Sequence, residues 1–141
     1  MPSTTKDAAP EAKHDSTLVL VVDDDPGLRN FLRMLLEVEG YAVRTARNGL
    51  EALESQRQQP AAIVLTDLFM PEVEGMETIV RLRAEFPQAK IMVMSGGGAY
   101  QGADYLALAR ELGAVKTLKK PFPPQDLIDA LRDVCASSSR S

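Results

Sequence analysis

The 141-residue sequence is poor in cysteine and aromatic residues and has no long hydrophobic run. Its single cysteine, Cys135, excludes an intramolecular disulfide and a thiolate metal cage, and it fits a reducing compartment. No apolar run approaches the roughly 20 residues that span a bilayer. Residues 1–17 also lack the apolar core of a signal peptide. We therefore expect a cytoplasmic protein with no membrane partner.

The sequence also lacks an excess of basic residues. It has 16 Lys and Arg residues against 20 Asp and Glu residues, a net charge of −4. A nucleic-acid partner would require a basic face, so we expect none. The apolar content of 45% and the charged content of 26% are typical of a globular protein. The length suits a single domain, since domains most often have about 100–150 residues.

Three segments are predicted along the chain. Residues 1–17 are rich in Ser, Thr, Ala, Pro and mixed charge without periodicity, which predicts a disordered N-terminal tail. Residues 18–136 are predicted to fold as one domain, and residues 137–141 form a small polar C-terminal tail.

Five apolar strands alternate with five helical patterns in the folded segment. The strands are predicted at 18–22, 41–46, 61–65, 90–94 and 114–118, and the helices at about 26–39, 49–57, 76–86, 100–112 and 125–135. This alternation predicts an α/β fold, a doubly wound parallel sheet covered on both faces. In the strand order 2-1-3-4-5, strands 1 and 3 would flank the point where the winding reverses and ligands bind.

Two of the predicted helices begin with recognisable caps. Asp25 followed by Pro26 offers an acceptor for the first N–H groups and then a residue that needs none. Asn48 is followed three residues later by Glu51, in the position that reaches back to the N–H of the cap. Asp25 therefore has a structural role, whereas Asp23 and Asp24 are not needed for the cap.

Acidic residues follow the first and third strands. Asp23 and Asp24 come directly after the first strand, and Asp67 follows the third strand, which is predicted to be buried. If these strands are neighbours about 4.8 Å apart, the three carboxylates lie within a few ångströms. One pair of unit charges at about 4 Å costs roughly 4 kcal/mol at an effective dielectric near 20, so either some are protonated or a cation lies among them. Such oxygen ligands suit Mg²⁺ or Mn²⁺; the alternative is a trio of solvated loop acids.

The ends of the remaining strands favour a phosphoryl site. Ser95 ends the fourth strand and Lys120 follows the fifth, on the same edge of the sheet as Asp67. A carboxylate beside a divalent metal, a hydroxyl and an ammonium can attack phosphorus while the cations neutralise the phosphoryl oxygens. The adjoining glycines, 96–98, allow the backbone to approach closely.

Four fragments, each at a strand end, resemble the response-regulator receiver domains of two-component signalling. They cover 18–25, 67–75, 95–96 and 120–122, and the resemblance extends from residue 18 to about 135. It implies a flavodoxin-like (βα)₅ fold with strand order 2-1-3-4-5, similar to the single-domain chemotaxis-Y-like receivers. The four fragments in this order are specific, although each is weak alone.

The resemblance assigns the metal and phosphoacceptor roles. Asp67 would be the phosphoacceptor, Asp24 a direct ligand of Mg²⁺ (or Mn²⁺), and Asp23 would act at the metal mainly through water. The backbone carbonyl of Phe69 would be a further ligand. Neither Phe69 nor Gly97, at the two positions that influence hydrolysis in the family, offers a group to orient water, so we expect a persistent phosphorylated form.

Other positions would transmit the signal. Ser95 would move to grip the phosphoryl group, with Lys120 as its cationic partner and a cis bond before Pro121. One departure is Thr117, which stands at the switch position that usually holds an aromatic ring. Tyr100 and Tyr105 are candidates to replace that ring, although half-buried packing is the more common role of such tyrosines.

The resemblance implies a stand-alone signalling receiver that catalyses only its own phosphorylation and dephosphorylation. Its phosphoryl donor would be the phosphohistidine of a histidine kinase or a histidine phosphotransfer protein. Its output would be altered docking of the fourth helix, fifth strand and fifth helix on an unknown protein target. We expect a monomer or a weak, phosphorylation-dependent dimer.

Two alternatives remain open. One is a degenerate receiver that binds partners without phosphorylation. The other is a small haloacid-dehalogenase-like phosphatase with Asp23 as nucleophile. The second is disfavoured because Pro26 and Gly27 stand where Thr or Val is usual, and because the sequence has no cap region.

Overall fold

A five-stranded parallel sheet forms the centre of the protein in the computed structural model, which describes residues 17–68, 75–95, 107 and 109–140. The strands are β1 (Leu18–Val22), β2 (Ala42–Ala46), β3 (Ile63–Asp67), β4 (Lys90–Ser95) and β5 (Lys116–Lys119). Their order is β2-β1-β3-β4-β5, and every pair is parallel. The predicted doubly wound α/β fold and its strand order are confirmed.

The helices flank this sheet. They are α1 (Pro26–Val38), α2 (Gly49–Gln58), α3 (Gly75–Glu85) and a C-terminal helix (Pro124–Arg140). The helix predicted at 100–112 lies largely outside the described residues, of which 107 and 109–111 are helical. Within the described ranges, no helix has the length and apolarity needed to cross a membrane.

The C-terminal helix is longer than predicted. It continues to Arg140, whereas the sequence pattern placed its end at Cys135. The residues after Cys135 are Ala, Ser, Ser, Ser and Arg, so neither Gly nor Pro is present to stop the helix. The assignment of domain limits at 18–136, with tails at 1–17 and 137–141, stays a prediction.

The sheet separates two hydrophobic cores. Side chains of β1 and β3 alternate between its faces, since successive residues of a strand point to opposite sides. On one face, α2 and α3 pack through Leu53, Ile79 and Leu82 against Leu20, Val22, Val64, Ile91 and Val93. On the other, α1 and the C-terminal helix pack through Leu32, Leu36, Leu127 and Leu131 against Val19, Val21, Leu65, Met92 and Met94. Burial on both faces fixes the strand ends that carry the site.

The caps of α1 and α2 form largely as expected. The side chain of Asp25 accepts the N–H of Gly27 at 2.9 Å, and that of Asn48 accepts the N–H of Glu51 at 2.9 Å. The carboxylate of Glu51 accepts the N–H of Arg47 at 2.9 Å, and its predicted bond to the N–H of Asn48 stays a prediction. The Nε of the Arg47 guanidinium donates to the same carboxylate at 2.9 Å. These bonds lower the pKa of Glu51 below its usual value.

Candidate metal centre

The site lies where the winding of the sheet reverses, between β1 and β3. Val22 of β1 pairs with Thr66 of β3. The next residue of each segment, Asp23 and Asp67, therefore lies at the same edge of the sheet. The main chain continues the ladder on both sides: the N–H of Asp23 donates to Ala46 O at 3.1 Å, and the N–H of Leu68 donates to Met94 O at 2.8 Å. The backbone of both acids is therefore held by neighbouring strands.

The structure brings the three predicted acids together. One carboxylate oxygen from each of Asp23, Asp24 and Asp67 lies within 4.8 Å of the other two. Asp23 is 1% exposed and Asp67 is 6% exposed, whereas Asp24 is on the surface. The cluster is thus open to solvent on the side of Asp24.

Lys120 is the cation of this cluster. Its Nζ lies 3.1 Å from Asp23 Oδ2 and 3.5 Å from Asp67 Oδ2. If all four groups are ionised, the three carboxylates and the ammonium have a net charge of −2. A divalent cation would neutralise this charge. Since burying a charge is costly without a partner, the Lys120 ammonium stabilises the two buried carboxylates.

Lys120 is placed by β4 and by the turn that follows β5. The N–H of Lys120 donates to Ser95 O at 2.7 Å, directly after the pairing of Ser95 with Lys119. The peptide bond between Lys120 and Pro121 is cis, as the resemblance implied. Ser95 itself is fully buried at the end of β4, one residue beyond the partner of Asp67 in the sheet. Its predicted role in gripping a phosphoryl group stays a prediction.

Every polar group of Asp23 has a partner in the protein. Its Oδ1 accepts the N–H of Asp25 at 2.9 Å, and its Oδ2 accepts from Lys120. Its carbonyl oxygen accepts Nη1 of Arg29 at 2.8 Å. Sequence reasoning missed Arg29, and its only signal was a basic residue six positions after the acid, on the first turn of α1.

The predicted switch position is polar and paired. Thr117 is half-buried in β5, and its Oγ1 accepts Nη2 of Arg110 at 3.1 Å. Arg110 belongs to the helical residues that precede Gly113, and the sequence did not indicate it as a partner. The remaining positions discussed from sequence, Phe69, Gly97, Tyr100 and Tyr105, lie outside the described residues.

The donor set fits a hard divalent cation. It consists of carboxylate oxygens, with two acids held in place by the strands and a third facing solvent. Mg²⁺ prefers oxygen ligands and retains several of its waters, so an open site with one or two direct carboxylates suits it. Asp23, Asp24 and Asp67 would hold the ion. The predicted carbonyl ligand, Phe69, is not among the described residues.

Comparison with known proteins assigns the class. Residues 19–132 match the family described as response regulator receiver domain. The chain belongs to this family, a class of signalling modules in two-component systems rather than of conventional enzymes. Receiver domains bind Mg²⁺ through acidic residues and interact with histidine kinases and phosphotransfer proteins.

Individual members of the family are similar over most of the chain. The chain is 37% identical over 121 residues to a transcriptional regulatory protein CpxR homolog of Haemophilus influenzae, covering 86% of this chain and 51% of that protein. It is 32% identical over 114 residues to sporulation initiation phosphotransferase F of Bacillus subtilis, covering 81% and 90%. The chain therefore spans about half of the first relative and most of the second.

A solved structure shows the same fold. The crystal structure of a response regulator receiver domain protein from Clostridium thermocellum superimposes with a TM-score of 0.80 at 28% identity. The superposition covers 87% of this chain and 97% of that one. The fold and its sheet order are thus shared with a solved receiver domain.

Proposed function

We propose that this chain accepts a phosphoryl group from phosphohistidine onto Asp67 in a Mg²⁺-dependent reaction. The observation that carries the proposal is the convergence of Asp23, Asp24 and Asp67 within 4.8 Å, with the Lys120 ammonium 3.5 Å from Asp67. Family membership supports it, because receivers interact with histidine kinases and phosphotransfer proteins. The donor would be one of these two kinds of protein.

In the transfer, one carboxylate oxygen of Asp67 attacks phosphorus. The bond from phosphorus to the histidine nitrogen breaks as the new phosphorus–oxygen bond forms, and the departing imidazole keeps the electron pair and takes a proton. When bound, Mg²⁺ supplies charge neutralisation at the phosphoryl oxygens. Lys120 neutralises the same charge from the β5 side, while Asp23, Asp24 and Asp67 would hold the cation.

Asp67→Asn tests the phosphoacceptor. An amide is a far weaker nucleophile than a carboxylate, so this variant should lose labelling by acetyl phosphate in the presence of Mg²⁺, measured by intact-mass spectrometry. The matched control is Asp25→Asn, which removes a neighbouring acid but keeps a side-chain oxygen that caps α1. We expect the control to be labelled at no less than about a third of the wild-type rate.

The outcomes separate the candidate functions. Undiminished labelling of Asp67→Asn would contradict the assignment. Trapping the acyl phosphate with borohydride and mapping the peptide should mark Asp67, whereas a mark on Asp23 would favour the phosphatase alternative. Absence of any label on the wild type, together with no Mg²⁺-dependent response to beryllofluoride by NMR, would favour a receiver that acts without phosphorylation.

We further propose that the signal leaves through one face of the protein, which is formed by the helix predicted at 100–112, by β5 and by the C-terminal helix. Bonds within the described residues support this route. Lys120 links the acid cluster to the end of β5, and the Arg110–Thr117 bond links β5 to the helical residues 109–111. The ion pair of Lys116 with Asp133, at 3.2 Å, links β5 to the C-terminal helix.

A further inference from the structure

Arg29 ties the first turn of α1 to the loop that carries two of the acids. Its Nη1 donates to the carbonyl oxygen of Asp23 at 2.8 Å, and its own N–H donates to the carbonyl oxygen of Asp25 at 2.9 Å. The side chain and the main chain of Arg29 thus hold two carbonyl groups of the same short loop. Arg29 is half-buried there.

The bond to Asp23 fixes a peptide unit rather than a side chain. The other polar groups of Asp23 are held by Ala46, Asp25 and Lys120. Its carbonyl belongs to the peptide between Asp23 and Asp24, so the orientation of this carbonyl also sets the direction in which Asp24 leaves the loop. Asp24 is exposed, so the main chain rather than side-chain packing determines where its carboxylate lies.

We propose that Arg29 is a positioning residue for the metal centre. It orients the Asp23–Asp24 peptide so that the Asp24 carboxylate meets Asp23 and Asp67, in spite of the repulsion between the three acids. The inference rests on the proposed function only in that it takes cation binding as its measurement. It assigns Arg29 no contact with the metal or the phosphoryl group.

A competing role for Arg29 predicts the opposite change in metal affinity when the side chain is removed. Its positive charge acts beyond its hydrogen bonds, since it contributes to the lowered pKa of Glu51. If Arg29 were only a nearby charge, it would repel a divalent cation, and its removal would tighten metal binding. If Arg29 positions the acids, its removal weakens metal binding. Outer-shell partners of metal ligands are typically worth about 10- to 100-fold in affinity.

The experiment measures Mn²⁺ binding to the full chain at fixed ionic strength, by the electron paramagnetic resonance signal of free Mn²⁺. We expect Arg29→Ala to weaken binding by roughly 10-fold. The matched control is Arg33→Ala, because both arginines line the same surface cleft of about 490 Å³ next to the site. Arg33 pairs with Glu37 at 3.5 Å, one turn further along α1. The control should bind Mn²⁺ no more weakly than the wild type.

A second variant separates the hydrogen bond from the charge. Arg29→Lys keeps the charge but has no planar guanidinium fork and a shorter reach, so we expect it to weaken Mn²⁺ binding as well. Wild-type affinity in Arg29→Lys, or unchanged or tighter binding in Arg29→Ala, would overturn the inference. Should Arg29→Ala prove unfolded by circular dichroism, Arg29→Lys decides. Absence of Mn²⁺ binding by the wild type would instead overturn the proposed metal site itself.

Discussion

The Lys120 ammonium contacts two of the three acids and reduces the net negative charge of the cluster. Without it, Asp23 and Asp67 would be two buried carboxylates with no cation beside them, which is a costly arrangement. The Lys120 Nζ lies 3.1 Å from Asp23 Oδ2 and 3.5 Å from Asp67 Oδ2, so both buried carboxylates have a cationic partner. The lysine thus stabilises the pair of buried acids within the protein alone.

The burial of a single residue, Tyr41, leads to a prediction about how the stability of the fold depends on pH. It is buried next to Cys135, with 4.0 Å between its hydroxyl and Sγ. Burial, and then the neighbouring thiol, raise the pKa of Tyr41 well above its usual value. Tyr41 therefore stays neutral in the folded state at pH values where an unfolded tyrosine, with a pKa near 10, has begun to ionise. Its contribution to stability is complete below about pH 10 and is lost as the pH rises further.

Tyr41→Phe should flatten this alkaline loss of stability. The phenylalanine ring keeps the packing and has no proton to lose, so the variant should approach or exceed the wild-type stability as the pH rises from 9 to about 11. The measurement is the midpoint of urea unfolding at each pH, followed by circular dichroism. An equally steep decline in both proteins would show that Tyr41 does not cause it.

At the scale of the elements, the sequence predicted β1 to the residue and most other boundaries to within two residues. The third strand was predicted at 61–65 and is observed at Ile63–Asp67, so Asp67 is the last residue of the strand. β5 was predicted at 114–118 and is observed at Lys116–Lys119. The apolar Ala114 and Val115 favoured an earlier start, whereas the pairing of Lys116 with Met92 sets the observed one. Hydrophobic pattern locates a strand, and its neighbours determine its ends.

The sequence could predict the residues of the candidate site that stand at strand ends, but not the side-chain bonds around them. Asp67, Asp23 and Lys120 each stand at a strand end, so topology alone brings them to one edge of the sheet. The bonds of Arg29 to the Asp23 carbonyl and of Arg110 to Thr117 follow from side-chain rotamers in three dimensions. No periodicity or spacing in the sequence specifies such contacts.

The Arg110–Thr117 bond leads to a prediction about helix stability. Thr117→Val keeps the β-branched shape but removes the acceptor, so the helical residues 109–111 lose a tie to β5. Amide hydrogen exchange in these residues should become faster, while acetyl phosphate labelling of Asp67 should be unchanged. The control is Thr45→Val on β2, at the opposite edge of the sheet, which should alter neither measurement. Unchanged exchange in Thr117→Val would show that this bond does not anchor the helix.

At the scale of the whole molecule, the proposed metal site would link cation binding to folding. Folding brings Asp67 next to Asp23 and Asp24, which are distant from it along the chain, and the Lys120 ammonium compensates only part of the charge of the three acids. A cation that binds only the folded state stabilises it, by about 2.7 kcal/mol at 100 times its dissociation constant. We therefore expect the melting temperature to rise by several degrees in MgCl₂, and not in NaCl of equal ionic strength.

Asp24→Asn tests this linkage because it should have opposite effects with and without metal. In metal-free buffer it removes one of the repelling charges, and because Asp24 is exposed the replacement disturbs no core packing, so the melting temperature should rise slightly. In MgCl₂ the variant has lost a ligand, so the Mg²⁺-induced rise should shrink or vanish. Measured by differential scanning calorimetry, equal Mg²⁺-induced rises in both proteins would show that Asp24 does not hold the ion. A lower metal-free melting temperature in the variant would show that repulsion does not dominate the empty cluster, and that Asp24 stabilises the fold by itself.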